Sequence, residues 1–483
     1  MGSEWRKVKL EEVASEITVG YVGSMTSEYI DSGVPFLRSK NVDPFTINLD
    51  DIKYISSEFN EKLKKSALAP GDVVIVRTGK PGTCAVIPEW LENANCSDLV
   101  IVRCGPEINN RFLAYYVNTV ASSHVNAHLV GAVQQHFNVG SAKLMELSLP
   151  PLEMQDKIVS ILAALDNKIA LNRQINTTLE SMAQALFKSW FVDFDPVIDN
   201  ALAAGNEIPD ALQKRAAARA ARREALRQQT NKTANETTVA TDAASSEQAL
   251  SETGLSDQRL PSEIQQLFPD RFVLTEEMGW VPEGWGVASI STLANLNPEA
   301  WSNKNSPDYV KYVDLANAKN GRIDEVITYS FSESPSRARR VLRIGDTIFG
   351  TVRPGNRSFA LIHEEGLTGS TGFAVLRPKT SDVTAFIYFA VTRQEVIDLF
   401  AHLADGAAYP AIRPDVVADH VVVIPPAKLL EVFESRVMPM LLSIGSRELM
   451  NSGLSDLRDS LLPKLLSGQI SIPDAGQQLA GVL

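Results

Sequence analysis

Residues 147–191 read LSLPPLEMQDKIVSILAALDNKIALNRQINTTLESMAQALFKSWF, and most of the architecture can be worked out from this stretch. Its apolar residues after the Pro-Pro pair recur mainly at steps of four and three: Ile158, Leu162, Leu165, Ile169, Leu179, Ala183, Leu186 and Trp190. This period is typical of a coiled-coil seam, so it predicts one long helix over 152–192. Two seam positions near the middle carry Asn172 and Asn176 instead.

The chain is a tandem repeat of a module followed by such a helix. Three landmarks recur at nearly one offset: Gly71-Asp72 at Gly345-Asp346 (274 residues later), and Gly131-Ala132 at Gly406-Ala407 and Pro150-Pro151 at Pro425-Pro426 (both 275 later). The intervening segments also match in kind, such as GDVVIVRTGKPGTCAVI from Gly71 and GDTIFGTVRPGNRSFALI from Gly345. Internal repetition of this kind indicates duplication of one structural unit.

The second helix has its own seam, and its polar positions predict how the two helices pair. Its apolar positions are Phe433, Val437, Met440, Ile444, Leu454, Leu461 and Leu465. Arg447 and Asn451 fill the middle, and Arg458 follows. Antiparallel pairing brings the polar pairs of both helices together and puts the two modules at opposite ends, so we predict an antiparallel coiled coil. The alternative is two helices that each pack only against their own module.

The modules preceding the helices are predicted to be β-rich. Short β-branched runs bounded by Gly, Pro or Asp occur at 73–76, 99–102, 347–349 and 421–424, and the helical patterns, at 111–120 and 385–399, are short. The predicted fold class is α+β, with two β-rich domains in tandem, two long antiparallel helices and an internal pseudo-twofold repeat. The predicted boundaries are 1–151 for module 1, 152–192 for the first helix, 193–280 for a linker, 281–426 for module 2, 427–470 for the second helix and 471–483 for a tail.

The linker is predicted to be partly flexible. Residues 212–229 read LQKRAAARAARREALRQQ, an Ala/Arg helix without a broad apolar face, and 230–258 are rich in Thr, Ser, Ala and Asn. Its arginines are candidate phosphate contacts, although a solvated helix explains them more simply: Arg215, Arg219, Arg222, Arg223 and Arg227.

Net charge does not exclude a nucleic-acid partner. The 483 residues carry 46 Lys plus Arg against 58 Asp plus Glu, for a net charge of −12. Half of that excess lies in 193–280, which contributes −6, whereas 5–151 contributes −2 and 286–426 contributes −1. Each module is therefore close to neutral, and a basic face on each is possible. The three cysteines and the absence of a run of ~20 apolar residues predict a reduced, cytoplasmic protein rather than a disulfide scaffold or a membrane protein.

The candidate DNA contacts are side chains that hydrogen-bond base edges or anchor phosphates. In module 1 they are Arg38, Ser39, Lys40, Asn41, Arg77, Thr78, Lys80, Gln134, Gln135, His136 and Asn138. In module 2 they are Arg337, Arg339, Arg340, Arg353, Asn356, Arg357, Tyr409 and Arg413. For any one of them a solvated loop residue is an alternative interpretation. Their recurrence at corresponding places in two copies, with different loop sequences, favours two readers of different targets.

The sequence contains no recognisable catalytic or metal-binding constellation. It lacks an Asp/Asn-Pro-Pro-aromatic tetrapeptide, which marks amino-methylating enzymes, and it lacks G-x-G-x-x-G and a phosphate-binding P-loop. Cys84, Cys96 and Cys104 do not have the spacing of a zinc site. We therefore predict no catalytic residue and no metal ligand.

The chain resembles the specificity subunit of type I restriction-modification systems over nearly its whole length. The resemblance rests on the duplicated order, on GDVVIVRTGKPG, on the region from Pro150 to Phe194, and on the closing LRDSLLPKLLSGQI. LFPDRF followed by GWVPEGW is similar to the family's entry into its second module. The copies depart from the family's frequent Glu-Gln after Pro-Pro-Leu, with Met154 before Gln155 in one and Leu429-Leu430 in the other, and the linker is long.

The resemblance implies a function and a set of partners. Each module would be a target recognition domain that reads half of a bipartite site in double-stranded DNA, and the helices would space the two. From Leu152 to Phe191 is ~60 Å at 1.5 Å per residue, enough to act as a ruler. Two modification subunits would bind S-adenosylmethionine, and restriction subunits would bring ATP and Mg. The chain itself would bind no cofactor and would not be an enzyme, while the assembled complex would be a DNA adenine methyltransferase and ATP-dependent endonuclease.

Two functions from other classes are the alternatives. One is a DNA methyltransferase with degenerate motifs, which would transfer methyl groups without partner subunits. The other is a scaffold that does not contact bases, which would leave no footprint at two separated half-sites.

Overall fold

The computed structural model describes residues 5–120, 137–236, 260–302, 304–406 and 409–481. The chain divides into two compact units. Unit 1 combines residues 1–171 with 450–483, and unit 2 contains residues 172–449. Each unit therefore holds one module together with parts of both long helices.

In the residues that the structure describes, module 1 has short strands and four short α-helices. The strands are β1 (Arg6–Lys9), β2 (Ala14–Val19), β3 (Val34–Leu37), β4 (Val42–Asp43), β5 (Thr46–Ile47), β6 (Lys53–Ile55), β7 (Ala67–Leu68), β8 (Val73–Val76), β9 (Cys84–Val86), β10 (Ala94–Cys96), β11 (Leu99–Cys104) and β12 (Glu146–Leu149). The helices are α1 (Leu10–Val13), α2 (Ser57–Lys62), α3 (Asn110–Thr119) and α4 (Val139–Lys143). Asn109 caps α3, where its side chain accepts the amides of Arg111 and Phe112.

The first long helix is followed by a small insert before module 2. Helix α5 covers Leu152–Phe191 and contains neither Gly nor Pro. The insert has helices α6 (Asp195–Ala204), α7 (Asp210–Glu236) and α8 (Ser262–Gln265), and a hairpin of β13 (Phe272–Thr275) with β14 (Gly279–Pro282). Helix α7 continues to Glu236, so the first seven residues of the segment predicted to be flexible are helical.

Module 2 is followed by the second long helix. Its strands are β15 (Gly286–Ser289), β16 (Ala294–Leu296), β17 (Tyr309–Val313), β18 (Ala318–Lys319), β19 (Arg322–Ile323), β20 (Ile327–Ser330), β21 (Ala338–Val341), β22 (Thr347–Gly350), β23 (Phe359–Leu361), β24 (Leu367–Ser370), β25 (Phe373–Pro378) and β26 (Val421–Ile424). The helices that follow or lie within it are α9 (Thr384–Thr392), α10 (Gln394–His402), α11 (Pro414–Ala418), α12 (Ala427–Leu466) and α13 (Ile472–Ala480). The helix predicted over 385–399 is wrong in one respect, because the chain is extended at Arg393 and two helices result.

The two modules share one topology, which confirms the duplication. Each has a four-stranded sheet ordered β2-β11-β8-β9 or β16-β25-β22-β23, and a second ordered β6-β3-β10-β7 or β20-β17-β24-β21. The pairing register also repeats, since Ile75 pairs with Val100 and Phe349 pairs with Ala374, both 274 residues later. The second sheet of each module contains a parallel pair, β3 with β10 and β17 with β24.

The long helices run antiparallel, as the seam predicts. In unit 2, Asn176 Nδ2 donates to the carbonyl of Ile444 over 3.3 Å, and the rings of Phe187 and Phe433 lie 5.9 Å apart. Residues nearer the C-terminus of α5 therefore contact residues nearer the N-terminus of α12. In unit 1, Arg458 of α12 donates to Asp166 of α5 over 2.9 Å. The predicted fold class, α+β with two β-rich modules and two antiparallel helices, is confirmed.

The hydrophobic core of each unit is built around these helix segments. In unit 1, Ile158, Leu162 and Leu165 of α5 are buried with Leu454 and Leu461 of α12. In unit 2 the core is aromatic, and its rings are Phe187, Trp190, Phe191, Phe268, Trp285, Phe386 and Phe433. Burial of a side chain of this size contributes about 1.5–3 kcal/mol, so each module is fixed to its own helix segments by its core.

Candidate nucleic-acid interface

The Gly-Asp landmark of each copy is a structural turn. Asp346 is fully buried, accepts the Arg343 amide over 2.9 Å and forms a two-pronged ion pair with Arg377 at 2.9 Å. Asp72 accepts the Ala69 amide over 3.0 Å and lies 3.6 Å from Arg103. Burial raises the pKa of Asp72. The motif that identifies the repeat therefore holds the framework of each module.

The candidate residues of module 1 gather where the parallel strands β3 and β10 end. Leu37 of β3 pairs with Cys96 of β10, and the Ser97 amide donates to the Leu37 carbonyl over 3.0 Å. Arg38 is the next residue after β3 and Asp98 is the second residue after β10, so their backbones lie at the same edge of the sheet. We call this edge, with the loop that follows β8, the recognition edge of module 1.

Arg38 and Lys40 share one acidic partner at this edge. Both contact Asp51, which also pairs with Lys53 at 3.0 Å. The hydrogen bond from Lys40, followed by that from Lys53, holds the pKa of Asp51 well below its usual range. The Lys40 side chain is 49% exposed, whereas that of Arg38 is 22% exposed and its guanidinium lies 6.0 Å from the Tyr29 ring. Three cations around one carboxylate leave this site with an excess of positive charge.

Asn41 differs from its neighbours because it is fully buried. Its side chain accepts the Arg38 amide over 3.1 Å and donates to the carbonyls of Asn48 and Asp50 over 3.1 and 3.2 Å. These bonds occupy its side-chain donors and acceptor within the loop, so Asn41 shapes the loop, and a base contact by Asn41 stays a prediction. Ser39 is half-buried and begins the short 3-10 helix that Asn41 ends.

Arg77 and Thr78 form a fixed contact with Asp98. Arg77 Nη1 donates to Asp98 Oδ1 over 2.8 Å, and Thr78 Oγ1 donates to Oδ2 over 2.5 Å. Arg77 Nε also donates to the Phe137 carbonyl over 3.1 Å, and its side chain is 17% exposed. Arg77 therefore holds the loop together, while Lys80, three residues further, is exposed.

The remaining candidates of module 1 lie near the end of the Gly-Ala loop. Gln134, Gln135 and His136 lie outside the described residues. Asn138 caps α4, where its side chain accepts the Ser141 amide over 2.8 Å. The Phe137 amide donates to the Arg77 carbonyl over 3.1 Å, so this loop reaches the recognition edge.

Module 2 repeats this edge with different side chains. Asp314 follows β17, where module 1 has Arg38 after β3, and it accepts a hydrogen bond from Arg337 over 2.9 Å. The side chain of Arg337 is 59% exposed, and the Arg337 carbonyl accepts the Thr371 amide over 2.7 Å just after β24. The Coulomb interaction with Asp314 raises the pKa of Arg337. Arg38 of module 1 thus corresponds to Asp314 of module 2. In module 2 the positive charge comes from Arg337, the residue just before β21.

Arg339 and Arg340 are less available than the sequence suggests. Arg339 lies 4.7 Å from the Phe331 ring and donates to the Ala338 carbonyl over 2.7 Å. The Nε of Arg340 is buried, and burial lowers the pKa of this side chain. Of this basic triplet, Arg337 is the exposed member.

The loop after β22 carries the other candidates of module 2. Arg353 and Asn356 are exposed, and the Arg353 guanidinium lies 4.7 Å from the ring of Tyr409, which is 71% exposed. Arg357 is half-buried, donates to Asn320 Oδ1 over 2.6 Å and contacts Gln394. Arg413 is exposed at the start of α11. These residues make up the recognition edge of module 2 together with Arg337.

Comparison of the sequence with known proteins shows which family the chain is similar to. The chain matches the family described as "Type I restriction modification DNA specificity domain" over residues 2–181. It is 26% identical over 344 residues to the type I restriction enzyme HindI specificity subunit of Haemophilus influenzae, across 68% of this chain and 70% of that protein. It is 19% identical to the type I restriction enzyme MjaIX specificity subunit of Methanocaldococcus jannaschii, across 98% of this chain and 94% of that one. The chain is thus similar to the specificity subunits of type I restriction-modification systems.

A crystal structure of the type I restriction-modification system S subunit from M. genitalium is 11% identical, covers 96% of each chain and has a TM-score of 0.48. No helix in the part of the chain that the structure describes is long and apolar enough to cross a membrane.

The polar seam residues of the two long helices lie at buried or half-buried positions. Asn172, Asn176 and Asn451 are between 4% and 9% exposed. Arg447 is half-buried and donates to the carbonyl of Ser443, one turn earlier on its own helix, over 3.0 Å. Asn176 joins the two helices within unit 2 through its bond to the Ile444 carbonyl.

The acidic residues that organise both edges are not among the residues predicted from the sequence. Asp51, Asp98 and Asp314 each position one or two of the basic candidates. Asp98 also has a left-handed backbone, with φ of 54° between β10 and β11. The sequence signal for Asp98 was a short Asp-containing turn between two β runs, because Asp adopts a left-handed backbone more readily than most residues.

Among the described residues, no group of three or more His, Cys, Asp or Glu side chains has the geometry to hold a metal ion. Cys84 and Cys96 are buried, Cys104 is partly buried, and all three are free thiols. Burial raises the pKa of all three, and for Cys104 it does so to about 12. Buried thiols with raised pKa values are unreactive, which fits a role in packing.

Proposed function

We propose that this chain is a specificity subunit that reads a bipartite site in double-stranded DNA, one half with each module. The observation that carries the proposal is the repeated recognition edge. Each module brings basic side chains to the end of its parallel strand pair and to the loop after β8 or β22, on one shared framework. The side chains differ between copies, so the two half-sites differ as well.

The side chains at each edge fall into two groups by their exposure, and we assign each group a different role. Lys40 and Lys80 in module 1 and Arg337 and Arg413 in module 2 are exposed cations suited to phosphates. Arg77 and Asn41 are held inside the edge and shape it. Contacts to phosphates orient the module on the duplex, and a smaller number of side chains then read base edges.

The long helices are proposed to set the distance between half-sites and to dock two modification subunits. Their register is fixed within each unit by Asn176 and by the Asp166–Arg458 ion pair, so they suit a rigid spacer. Both helices also carry exposed apolar side chains, at Leu171, Leu442, Leu449 and Met450. Exposed apolar side chains of this size suit burial against a protein partner.

The chemistry of the complex is proposed to belong to the partners. In this proposal the chain acts in the cytoplasm, contributes no catalytic residue and binds no cofactor. The modification subunits bind S-adenosylmethionine and methylate adenine, and restriction subunits use ATP and Mg to cleave. The sequence supports this division, since it lacks the amino-methylating tetrapeptide and the P-loop.

A methylation assay on random-sequence duplexes tests the proposal. The purified chain is incubated with labelled S-adenosylmethionine, with and without its modification subunits, and the methylated positions are mapped. We expect methylation at two-part sites of fixed spacing with the partners, and none with the chain alone. Methyl transfer by the chain alone would make it an enzyme. Footprinting of the complex that shows no two separated protected patches would make the chain a scaffold.

A further inference from the structure

The turn between β5 and β6 places one carboxylate at the recognition edge of module 1. The Ile52 amide donates to the Leu49 carbonyl over 3.0 Å and closes the turn, and Asp51 is its third residue, with φ of 50°. The buried Asn41 side chain fixes the same turn by donating to the Asp50 carbonyl over 3.2 Å. Asp adopts this left-handed backbone more readily than most residues, so the turn holds Asp51 in place.

Three cationic side chains converge on Asp51, and both oxygens of its carboxylate are used. Oδ1 lies 3.0 Å from Lys53 Nζ, while Oδ2 contacts Lys40 Nζ and lies 3.4 Å from Nη2 of Arg38. The side chains of Asp51, Lys40 and Lys53 are 53%, 49% and 39% exposed, so a ligand in solution can reach them. We call these four residues the Asp51 cluster, and its balance is three positive charges against one negative charge.

Lys53 belongs to the recognition edge, although it is not among the candidates from the sequence. It begins β6 and pairs with Phe36, the third residue of β3. Because the two strands are antiparallel, the start of β6 lies beside the end of β3, where Arg38 follows. Two neighbouring segments of the edge therefore supply the cations of the Asp51 cluster.

A carboxylate in this place has the same hydrogen-bonding pattern as a DNA phosphate. Each group carries one negative charge over two terminal oxygens, and Lys and Arg form charge-assisted hydrogen bonds with either group. Side chains that converge on the two oxygens of Asp51 can therefore converge on the two non-bridging oxygens of a phosphodiester. The ammonium group of a lysine acts as a point charge, which suits a phosphate better than a base edge.

Module 2 has different side chains at the corresponding places. Asp314 follows β17 as Arg38 follows β3, and Ile327 begins β20 as Lys53 begins β6. Asp314 pairs with Arg337 at 2.9 Å, which gives one positive charge for one negative charge. The Asp51 cluster is therefore a feature of module 1, and module 2 serves as an internal reference.

We propose that Lys40 and Lys53, together with Arg38, bind one backbone phosphate of DNA, and that Asp51 competes with this phosphate for them. This inference rests on the proposed function and adds Lys53 and Asp51 to it. In the free protein the Asp51 carboxylate is the partner of both ammonium groups. When module 1 binds DNA, the phosphate takes over these partners and is repelled by the nearby carboxylate. Asp51 thus weakens binding to every DNA sequence without changing which bases are preferred.

The salt dependence of DNA binding by the assembled modification complex tests this inference. The probes are a duplex with the methylated two-part site and a duplex without it, from about 50 to 250 mM KCl. Lys53→Gln loses a phosphate contact, so affinity for both duplexes falls about 10-fold, and the slope of log affinity against log salt becomes shallower by about one. Asp51→Asn removes the competing charge and keeps a residue that tolerates the left-handed backbone. Affinity for both duplexes then rises about 10-fold, and the slope becomes steeper by about one.

Glu58→Gln is the matched control for Asp51→Asn. Glu58 is also an exposed carboxylate paired with a lysine, Lys62 at 3.0 Å, but it follows the opposite end of β6. Its removal changes the net charge by the same amount and should leave both the affinity and the slope at the wild-type values.

The outcomes separate this inference from the proposed function. Opposite changes in slope for Asp51→Asn and Lys53→Gln, each equal on the two duplexes, support it. A wild-type slope in either variant overturns it. A changed sequence in either methylated half-site of the Lys53→Gln complex also overturns it, because Lys53 would then contact a base, but this result leaves the proposed function standing. A wild-type complex that methylates no two-part site removes the proposed function and this inference together.

Discussion

Glu434 is a buried carboxyl group on α12 that faces the start of α9. Its Oε1 accepts the backbone amides of Ala385 and Phe386 over 2.7 and 3.2 Å, and its Oε2 is buried without a hydrogen-bond partner. The residue is 6% exposed, and burial raises its pKa to about 7. A polar side chain of the long helix thus closes a helix end of module 2, as Gln155 of α5 accepts the Asn109 amide in module 1.

The raised pKa of Glu434 makes the stability of unit 2 dependent on pH. The folded state holds the proton more tightly than the unfolded state, whose pKa is 4.5. The stability linked to this proton is therefore complete below about pH 4.5, falls as pH rises to about 7, and is absent above that. Glu434→Gln keeps one acceptor and removes the titration. We expect the variant to gain on the order of 3 kcal/mol over wild type between pH 5 and 8, from 1.36 kcal/mol per pKa unit.

Urea unfolding at a series of pH values measures this difference. Glu431→Gln is the control, because Glu431 is exposed one turn away and pairs with Lys428 at the surface. A difference between Glu434→Gln and wild type that stays constant from pH 5 to 8 would show that Glu434 does not titrate in this range. Glu448, whose pKa burial also raises to about 7, is present in both proteins and cancels in the comparison.

For single residues, the sequence predicts which residue types lie at the recognition edges. It does not predict which of these side chains are held by other residues of the protein. Arg77 and Arg353 occupy similar places in the two copies, and the sequence treats them alike. Their contacts depend on Asp98, which lies 21 residues from Arg77, and on Tyr409, which lies 56 residues from Arg353. Strand pairing brings such distant partners together, so no local sequence pattern predicts these contacts. The sequence does not reveal the burial of Asn41 for the same reason, since its loop partners follow it by seven and nine residues.

The insert between α5 and module 2 is held by a ladder of ion pairs between two helices. Arg215 of α7 donates to both oxygens of Asp195 on α6, over 2.6 and 2.9 Å. Arg219 lies 3.3 Å from Asp195 and also contacts Asp199, and Arg223 donates to the Asp199 carbonyl over 3.1 Å. These arginines therefore join two helices of the insert, which is a better account of them than contacts to phosphate.

The ladder predicts a local effect of removing its buried charge. The side chain of Asp195 is 6% exposed and also accepts the Ser189 hydroxyl over 2.8 Å. Asp195→Asn removes the buried carboxylate that Arg215 and Arg219 share, and leaves Arg215 with Asp193 at 2.8 Å as its remaining acidic partner. The substitution is expected to destabilise the α6–α7 pair by about 2–3 kcal/mol. Amide hydrogen exchange in α6 and the first turns of α7 should accelerate roughly 30-fold or more. Glu207→Gln, an exposed change between the same helices, should leave exchange rates unchanged; equal acceleration in both variants would contradict the ladder.

The two long helices differ in how well the sequence reveals them. α5 has an uninterrupted seam, and its predicted end was within one residue of Phe191. α12 runs through Pro439 and Gly445, residues that normally argue against a helix interior. Gly445 is needed there because a Cβ would lie 2.3 Å from Cγ of His363, whose ring packs against the helix. The helix was predictable from its likeness to α5, whereas the reason for Gly445 depends on a contact with module 2.

The whole molecule combines one framework, used twice, with two unlike edges. Strand order, pairing register and the buried Gly-Asp turn repeat at an offset of 274 or 275 residues, and these features follow from hydrophobic pattern and turn chemistry. The edges do not repeat, since Arg38 corresponds to Asp314 and the stacked Arg353 has no counterpart in module 1. Selection on such a chain can change one target without disturbing the other, because the edge residues contribute little to the cores.

The spacer role predicts the result of lengthening both helices together. Each long helix has residues in both units, so seven residues added to α5 after Leu171 and seven added to α12 after Leu449 preserve the seam period. Each insertion adds about 10 Å of helix at 1.5 Å per residue. At 3.4 Å per base pair, the gap between half-sites should grow by about three base pairs while both half-sites stay the same. Mapping of methylated sites measures the gap. Seven residues inserted after Gly205, between α6 and α7, are the control and should leave it unchanged. An unchanged gap in the doubly lengthened protein, with methylation intact, would show that the helices do not set the spacing.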